Sequence, residues 1–239
     1  MKLPFPTLSL LLVLMLTSSA CESQKSTQAS GDKMATKGNP EPVAGITIEE
    51  LDQNYEGLEK AYLAGGCFWC TEASLDRIQG VKDVWSGYAG GQEVNPTYYE
   101  VAAGKTGHAE AIVVYFDPEV ITFAEVLEVF FVAHDPTQLN RQGPDRGTQY
   151  RSAIFPLNDE QEEIVRATIK ALDESGKFAS KVVTTIEDPI QFYVAEGYHQ
   201  DYYEDNTNPN QGYVQNVSRP KVEKVMKVFK DRLKPEFQK

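Results

Sequence analysis

The stretch Ala61-Tyr62-Leu63-Ala64-Gly65-Gly66-Cys67-Phe68-Trp69-Cys70 decides how this chain is read. Its first residues are a short apolar run of strand type, and Gly65-Gly66 breaks it. From residue 67 to 79 the partly apolar positions Phe68, Ala73, Leu75 and Ile78 follow helical spacing, and Gly80 ends the pattern. The reading is a strand that turns into a helix, with a thiol at the junction. Unpaired backbone N–H groups and the positive end of the helix dipole gather there, and both favour thiolate over thiol. Phe68 and Trp69 at an exposed turn would be wasted surface unless they line a pocket. A reactive sulfur beside an aromatic pocket suits chemistry on an atom that carries a small apolar group.

Cys67 and Cys70 stand three residues apart, on one face of the first helical turn. Their Cα atoms would lie ~5–6 Å apart, inside the range that a disulfide bridges. Cys67 can therefore attack a partner, and Cys70 can afterwards attack Cys67. A bare C-x-x-C does not exclude a pair of inert buried thiols, although redox chemistry is the favoured reading. Zinc would need four ligands, and the chain holds neither a second C-x-x-C nor an H-x-x-x-H.

Outward from this junction, residues 81–88 look extended, and Gly90-Gly91 and Asn95-Pro96 break the chain. Residues 109–116 are apolar and rich in β-formers, closed by Asp117-Pro118. Residues 122–134 form a helix capped by Thr122, with Phe123, Val126, Leu127, Phe130 and Phe131 on one side. A long polar loop covers 135–147. A strand at 150–155, a helix from the Asn158 cap to about Glu174, an extended 182–186 and a final amphipathic helix at 219–233 complete the pattern. There is no repeat of 20–50 residues. The expectation is one α+β domain, with helices packed on a mixed or antiparallel sheet.

The N-terminus reads as an address. Lys2, the apolar run from Leu8 to Leu16 and Ser18-Ser19-Ala20 make residues 1–20 a secretory signal, too short to span a bilayer as a stable helix. Cys21 comes next, as in bacterial lipoprotein signals, and lipidation there would anchor the exported protein to a membrane of the cell envelope. Several acyl chains anchor stably where one is marginal. Ser18 stands where such signals usually carry Leu, and plain cleavage after Ala20 is the alternative. Residues 21–45 are polar and rich in Ser, Lys, Gly and Pro, a flexible tether. Residues 46–239 then form a single domain large enough for a real core. A formal charge of −12 makes a poor nucleic-acid binder, and three cysteines make no disulfide scaffold. Nothing signals an oligomer, and a monomer is expected.

Glu110, near the start of the apolar run 109–116, sits either on a solvated strand face, the commoner case, or in a pocket. In a pocket, burial would raise its pKa and make it a proton donor. Tyr98 and Tyr150 each lie beside a turn, and a phenol donates a hydrogen bond to a polarised oxygen without carrying charge. Asp145, in Gly143-Pro144-Asp145-Arg146-Gly147, reads alone as a turn residue. His199, among tyrosines, reads alone as a packed histidine. His134 ends a helix and suits its dipole.

Together these pieces resemble one family. GCFWC, NPTYYEV, GKTGHAEA, HDPTQLNRQGPDRGTQYRSAIF and AEGYHQDYY are similar, in collinear order from about residue 60 to about 215, to peptide methionine sulfoxide reductases of the A type. The resemblance implies a two-layer α/β sandwich with a ferredoxin-like core and long irregular loops. It implies reduction of the S-epimer of methionine sulfoxide, free or in oxidised proteins, with no bound cofactor and an external thioredoxin-like dithiol as reductant. It implies Cys67 as nucleophile, Phe68 and Trp69 as walls for the substrate methyl group, Glu110 as proton donor, and Tyr98 and Tyr150 as donors to the sulfoxide oxygen. Asp145 would orient the substrate, and His199 would support the site. Many relatives keep recycling cysteines in a C-terminal tail, whereas this chain has none after Cys70, which stands where many relatives have Gly. That departure implies a Cys67–Cys70 disulfide. The helix 219–233 lies beyond the resemblance. Two other readings fit parts of the pattern: a thioredoxin-like disulfide exchanger, although neither a cis-Pro loop nor a Trp-Cys-x-x-Cys order is clear, and a surface-anchored binding lipoprotein.

Overall fold

The computed structural model describes residues 46–188 and 191–238. The apolar leader, Cys21 and the rest of the tether to residue 45 lie outside the described residues. In chain order the principal elements are α1 (Ile48–Asn54), β1 (Glu59–Gly65), α2 (Phe68–Asp76), β2 (Val81–Ala89), α3 (Tyr98–Ala102), β3 (Ala109–Phe116) and α4 (Phe123–Ala133). They continue with β4 (Arg141–Gln142), β5 (Asp145–Arg146), β6 (Ser152–Phe155), α5 (Asp159–Glu174), β7 (Thr185–Ile186), β8 (Tyr193–Val194), the single turn α6 (Gln211–Tyr213) and α7 (Arg219–Val228).

Six strands form one sheet in the order β7-β6-β1-β3-β2-β8, antiparallel except for the β6–β7 edge pair. β4 and β5 make a separate two-stranded hairpin inside the polar loop 135–147. The architecture is the expected α+β domain, a central sheet layered with helices. Leu63, Val84, Tyr88, Ile112, Val114 and Ile154 point to one face, where they meet Leu75 of α2, Phe130 of α4 and Val225 of α7. Tyr62, Trp85, Val113, Tyr115 and Phe155 point to the other, covered by Leu51 of α1 and by Phe192. With both faces covered, every residue of β3 is buried. This is why that strand reads as a continuous apolar run and not as an alternation.

α1 and α3 were not expected from apolar periodicity, since both are too short to show any. Each starts with a capping box, Thr47 with Glu50 and Thr97 with Glu100, and that T-x-x-E signature was legible in the sequence. The helix expected over 67–79 stops at Asp76. Ile78 leaves it to form a β-bridge with Leu233, and Gln79 N–H donates to the Arg232 carbonyl at 2.8 Å. The helix expected over 219–233 stops at Val228 and ends in a short 3₁₀ turn, so that the chain can make these contacts. The extended stretch 182–186 pairs only at Thr185–Ile186. His134 is no exposed dipole partner. It is buried, with Nδ1 on the Phe130 carbonyl at 2.7 Å and Nε2 on Ser152 Oγ at 2.8 Å, and burial pulls its pKa down to about 4.

Candidate active site

Gly65-Gly66 lets the chain pass from β1 into α2 under α4 and the hairpin. Gly66 has φ +88°, and a Cβ there would sit 2.5 Å from Gln142 Cβ. Only glycine allows both the left-handed backbone and that approach. The turn delivers Cys67 as the N-cap of α2, with no side-chain cap of its own. The cap comes from across the sheet: Phe68 N–H donates to Glu110 Oε2 at 3.1 Å.

Glu110 is on β3 with the parity of Ile112 and Val114, so it points to the α2 face. It is 2 % exposed. The solvated-face reading of this residue is therefore corrected, because the sheet has no solvated face at this position. Burial pushes its pKa up to about 8, with Asp145 and Cys70 adding to the rise and the Phe68 N–H opposing it. At neutral pH it is an acid holding its proton.

Cys67 is 5 % exposed. Its pKa is raised, first by burial, then by the hydrogen bond to Cys70 and the charges of Cys70 and Glu110; the nearby Tyr213 hydroxyl works the other way. The expectation that the helix start alone favours a thiolate is thus corrected, because desolvation in this cavity outweighs the dipole. Cys70, 1 % exposed, is pulled down to about 7, first by its hydrogen bond with Cys67 and then by the Lys221 charge and Ser218. The two sulfurs form one hydrogen-bonded pair with one readily lost proton.

A cavity of about 210 Å³ opens at Cys67, lined by Trp69, Tyr98, Glu110, Asp145, Tyr150, Asn210 and Tyr213. Six residues expected from the sequence meet there: Cys67, Trp69, Tyr98, Glu110, Asp145 and Tyr150. Phe68 does not line it. That side chain is fully buried behind the cavity, against Tyr88 and His199. His199 also stands behind, accepting from Trp69 Nε1 at Nδ1 over 3.1 Å, and burial lowers its pKa to about 3, so it is a neutral acceptor. Trp69 is clamped further by Tyr202, stacked at 3.7 Å and 8°, and by the edge of Tyr213.

The phenols are held by short elements. Tyr98 begins α3, and its N–H donates to Glu196 Oε1 at 2.8 Å, while Tyr88 Oη donates to Glu196 Oε2 at 2.6 Å. Tyr150 ends a 3₁₀ turn that Gln149 ties to the Ala102 carbonyl of α3 at 2.9 Å. Burial, with the charge of Glu110 next, raises both phenols, so each stays a donor. Asp145, on the β4–β5 hairpin, accepts from Tyr213 Oη at 2.6 Å. Sequence reasoning missed Tyr213, Asn210, Tyr202 and Glu196. Each lies in a loop-rich stretch where no periodicity separates a site residue from a turn residue. The clustering of tyrosines was the only hint.

A family model described as peptide methionine sulfoxide reductase matches residues 59–233, so the likeness extends past residue 215 and takes in α7. Peptide methionine sulfoxide reductase MsrA of Nitratiruptor sp. is 54% identical over 175 residues, 73% of this chain and 98% of its own length. That of Deinococcus radiodurans is 52% identical over 176 residues, 74% of this chain and 84% of its own. Among solved structures, methionine sulfoxide reductase A of Corynebacterium diphtheriae is similar with a TM-score of 0.58 at 34% identity, over 74% of this chain and 90% of that one. Mxr1 from Saccharomyces cerevisiae in reduced form gives 0.56 at 39% identity, over 63% and 86%.

Proposed function

This chain belongs to the peptide methionine sulfoxide reductase family, A type, and from that premise we propose that its cavity reduces the S-epimer of methionine sulfoxide with Cys67 as nucleophile and Glu110 as acid. The enzyme is a thiol-dependent methionine sulfoxide reductase that needs no resident cofactor. One observation carries the assignment of roles: a cysteine and a carboxyl group held protonated by burial face the same small cavity. Sulfoxide oxygen leaves poorly until it is protonated, so these are the two groups the reaction needs.

The substrate sulfur lies against Cys67 Sγ, with its methyl group on the face of Trp69. Its oxygen points to Glu110, Tyr98 and Tyr150. Asp145, braced by Tyr213, receives the substrate backbone. The Cys67 proton moves across one hydrogen bond to Cys70. The Cys67 thiolate then forms a bond to the sulfoxide sulfur as Glu110 gives its proton to the oxygen. Transfer of that hydroxyl to Cys67 releases methionine and leaves a sulfenic acid on Cys67. Cys70 attacks the sulfenic acid, expelling water and closing a Cys67–Cys70 disulfide. A thioredoxin-like dithiol reopens it by exchange.

The test is turnover of the resolved epimers of dabsylated methionine sulfoxide with dithiothreitol, by the protein and by Cys67→Ser. Loss of the S-epimer alone, abolished in the variant, is the expected outcome. No reduction of either epimer by folded protein would overturn the proposal and favour disulfide exchange. The N-terminal signal and Cys21 further support a second proposal, that the enzyme is exported and lipid-anchored through Cys21, where it repairs oxidised envelope proteins.

A further inference from the structure

The helical segment after Tyr213 reaches the site twice. Residues Val214–Ser218 form a π-helical turn between α6 and α7. Such wide turns inside helices often mark functional positions. The extra residue in that turn rotates the rest of the segment, so that Tyr213 faces Asp145 while Ser218 and Lys221 face the rear of α2. Ser218 is fully buried, with Oγ 3.3 Å from Cys70 Sγ, and Lys221 Nζ is 3.9 Å from the same sulfur. Among the described residues, Lys221 is the one cation hydrogen-bonded to either cysteine. Cys67 lines the cavity, and Cys70 does not.

We propose that Ser218 and Lys221 are positioning residues that hold Cys70 as the thiolate of the pair, and thereby direct the external reductant to the sulfur of Cys67. The inference rests on the reductase reading above and adds to it a direction of exchange. In the forward step Cys70 first gives to solvent the proton it took from Cys67, and its thiolate attacks the sulfur of the Cys67 sulfenic acid. The S–S bond forms, the S–O bond breaks, and the departing hydroxide takes a proton from solvent to become water. In the recycling step a thiolate of the reductant attacks Cys67 Sγ from the cavity. A mixed disulfide forms on Cys67, and Cys70 leaves with the electron pair, its charge facing Lys221 and its lone pair accepting from Ser218 O–H. Attack on Cys70 would instead require the reductant to reach a sulfur that does not line the cavity, and would expel Cys67 on the side away from Lys221.

The other ionisable groups that face Cys70 are Cys67, Asp145, Glu110 and Tyr213, and the carboxylate of Asp145 opposes the Cys70 charge. Lys221 is the cation that offsets it. Because Cys67 faces the cavity, while Cys70 lies behind it with Lys221 and Ser218 placed to receive its charge, the partition toward Cys67 should be about tenfold or more.

The experiment starts from wild-type protein treated with one equivalent of the S-epimer of methionine sulfoxide, with methionine release and loss of two free thiols measured first. Limiting glutathione is added at pH 7, the mixture is quenched in acid and alkylated, and fragment ions across Phe68-Trp69 assign the adduct. Glutathione on Cys67 with the alkyl label on Cys70 is expected. Adduct on Cys70, or an even split, after normal methionine release would overturn this inference alone. Failure to release methionine would overturn the reductase reading and the inference with it. In Lys221→Met, disulfide closure should slow about tenfold at pH 7, with dimedone-trappable sulfenic acid accumulating, and its pH midpoint should move upward. Lys221→Arg should restore both. A Lys221→Met protein with an unmoved midpoint would leave Lys221 a structural residue and sink its positioning role.

Discussion

Glu110 carries the sharpest conflict between stability and function in the molecule. Its carboxyl group caps α2 through Phe68 N–H, yet it sits in a site that holds its pKa at about 8, against an ordinary value of 4.5. The folded state therefore binds more protons than the unfolded chain between those values, and its stability falls as pH rises through that window. Glu110→Gln keeps an acceptor for Phe68 N–H and removes the titration. The variant should match the wild type near pH 4 and exceed it by roughly 3 kcal/mol at pH 7, read from urea unfolding across pH. Its turnover should drop about 10²–10⁴-fold. A stability difference that does not change with pH would contradict the buried acid. Wild-type sulfoxide reduction should decline as pH rises through about 8, where Glu110 loses its proton.

The junction of β1 and α2 determines where the reactive sulfur points. β1 ends under α4, where a Cβ on Gly65 would meet Phe130 at 2.7 Å, and Gly66 turns the chain in a conformation that L-residues disfavour. Gly66→Ala should cost about 2–4 kcal/mol, summing left-handed strain and overpacking against Gln142. The check is a lower urea midpoint at unchanged slope. An unchanged midpoint would mean that Gln142 and the hairpin yield freely. The strand-to-helix reading of residues 61–79 needed only local information, namely an apolar run, a Gly-Gly break and helical spacing. The capping boxes that start α1 and α3 were equally local. The two-residue strands β4, β5 and β8 were not legible, because so short a strand has no period of its own and exists only through its partner.

At the scale of the whole molecule, the sheet is closed on both faces, by α2, α4 and α7 on one and by α1 and the Phe192 segment on the other. α7 does two jobs in this arrangement. Val222 and Val225 are buried in the core, and Lys221 on the same helix reaches Cys70. The C-terminal segment thus joins the redox site although it brings no cysteine to it. The proposed export and anchoring belong to this scale too. If Cys21 carries the acyl chains proposed for it, the full-length protein made in bacteria should enter the detergent phase on Triton X-114 partition, and Cys21→Ser should move it to the aqueous phase. Equal partition of both would reject the anchor.

The sequence by itself determined the order of the main elements, the α+β class, the place of the reactive thiol and, through collinear motifs, the family. Those properties are written in neighbouring residues: spacing, caps, breaks and the chemistry of GCFWC and GTQYR. Only the tertiary structure decided that Glu110 is a buried acid, that Phe68 and His199 stand behind the cavity, and that Ser218 and Lys221 meet Cys70 some 150 residues away in the chain. A pKa depends on what surrounds a group in space, and a strand residue's surroundings depend on which elements cover its face. Neither is fixed until the sheet, α2 and α7 have packed together.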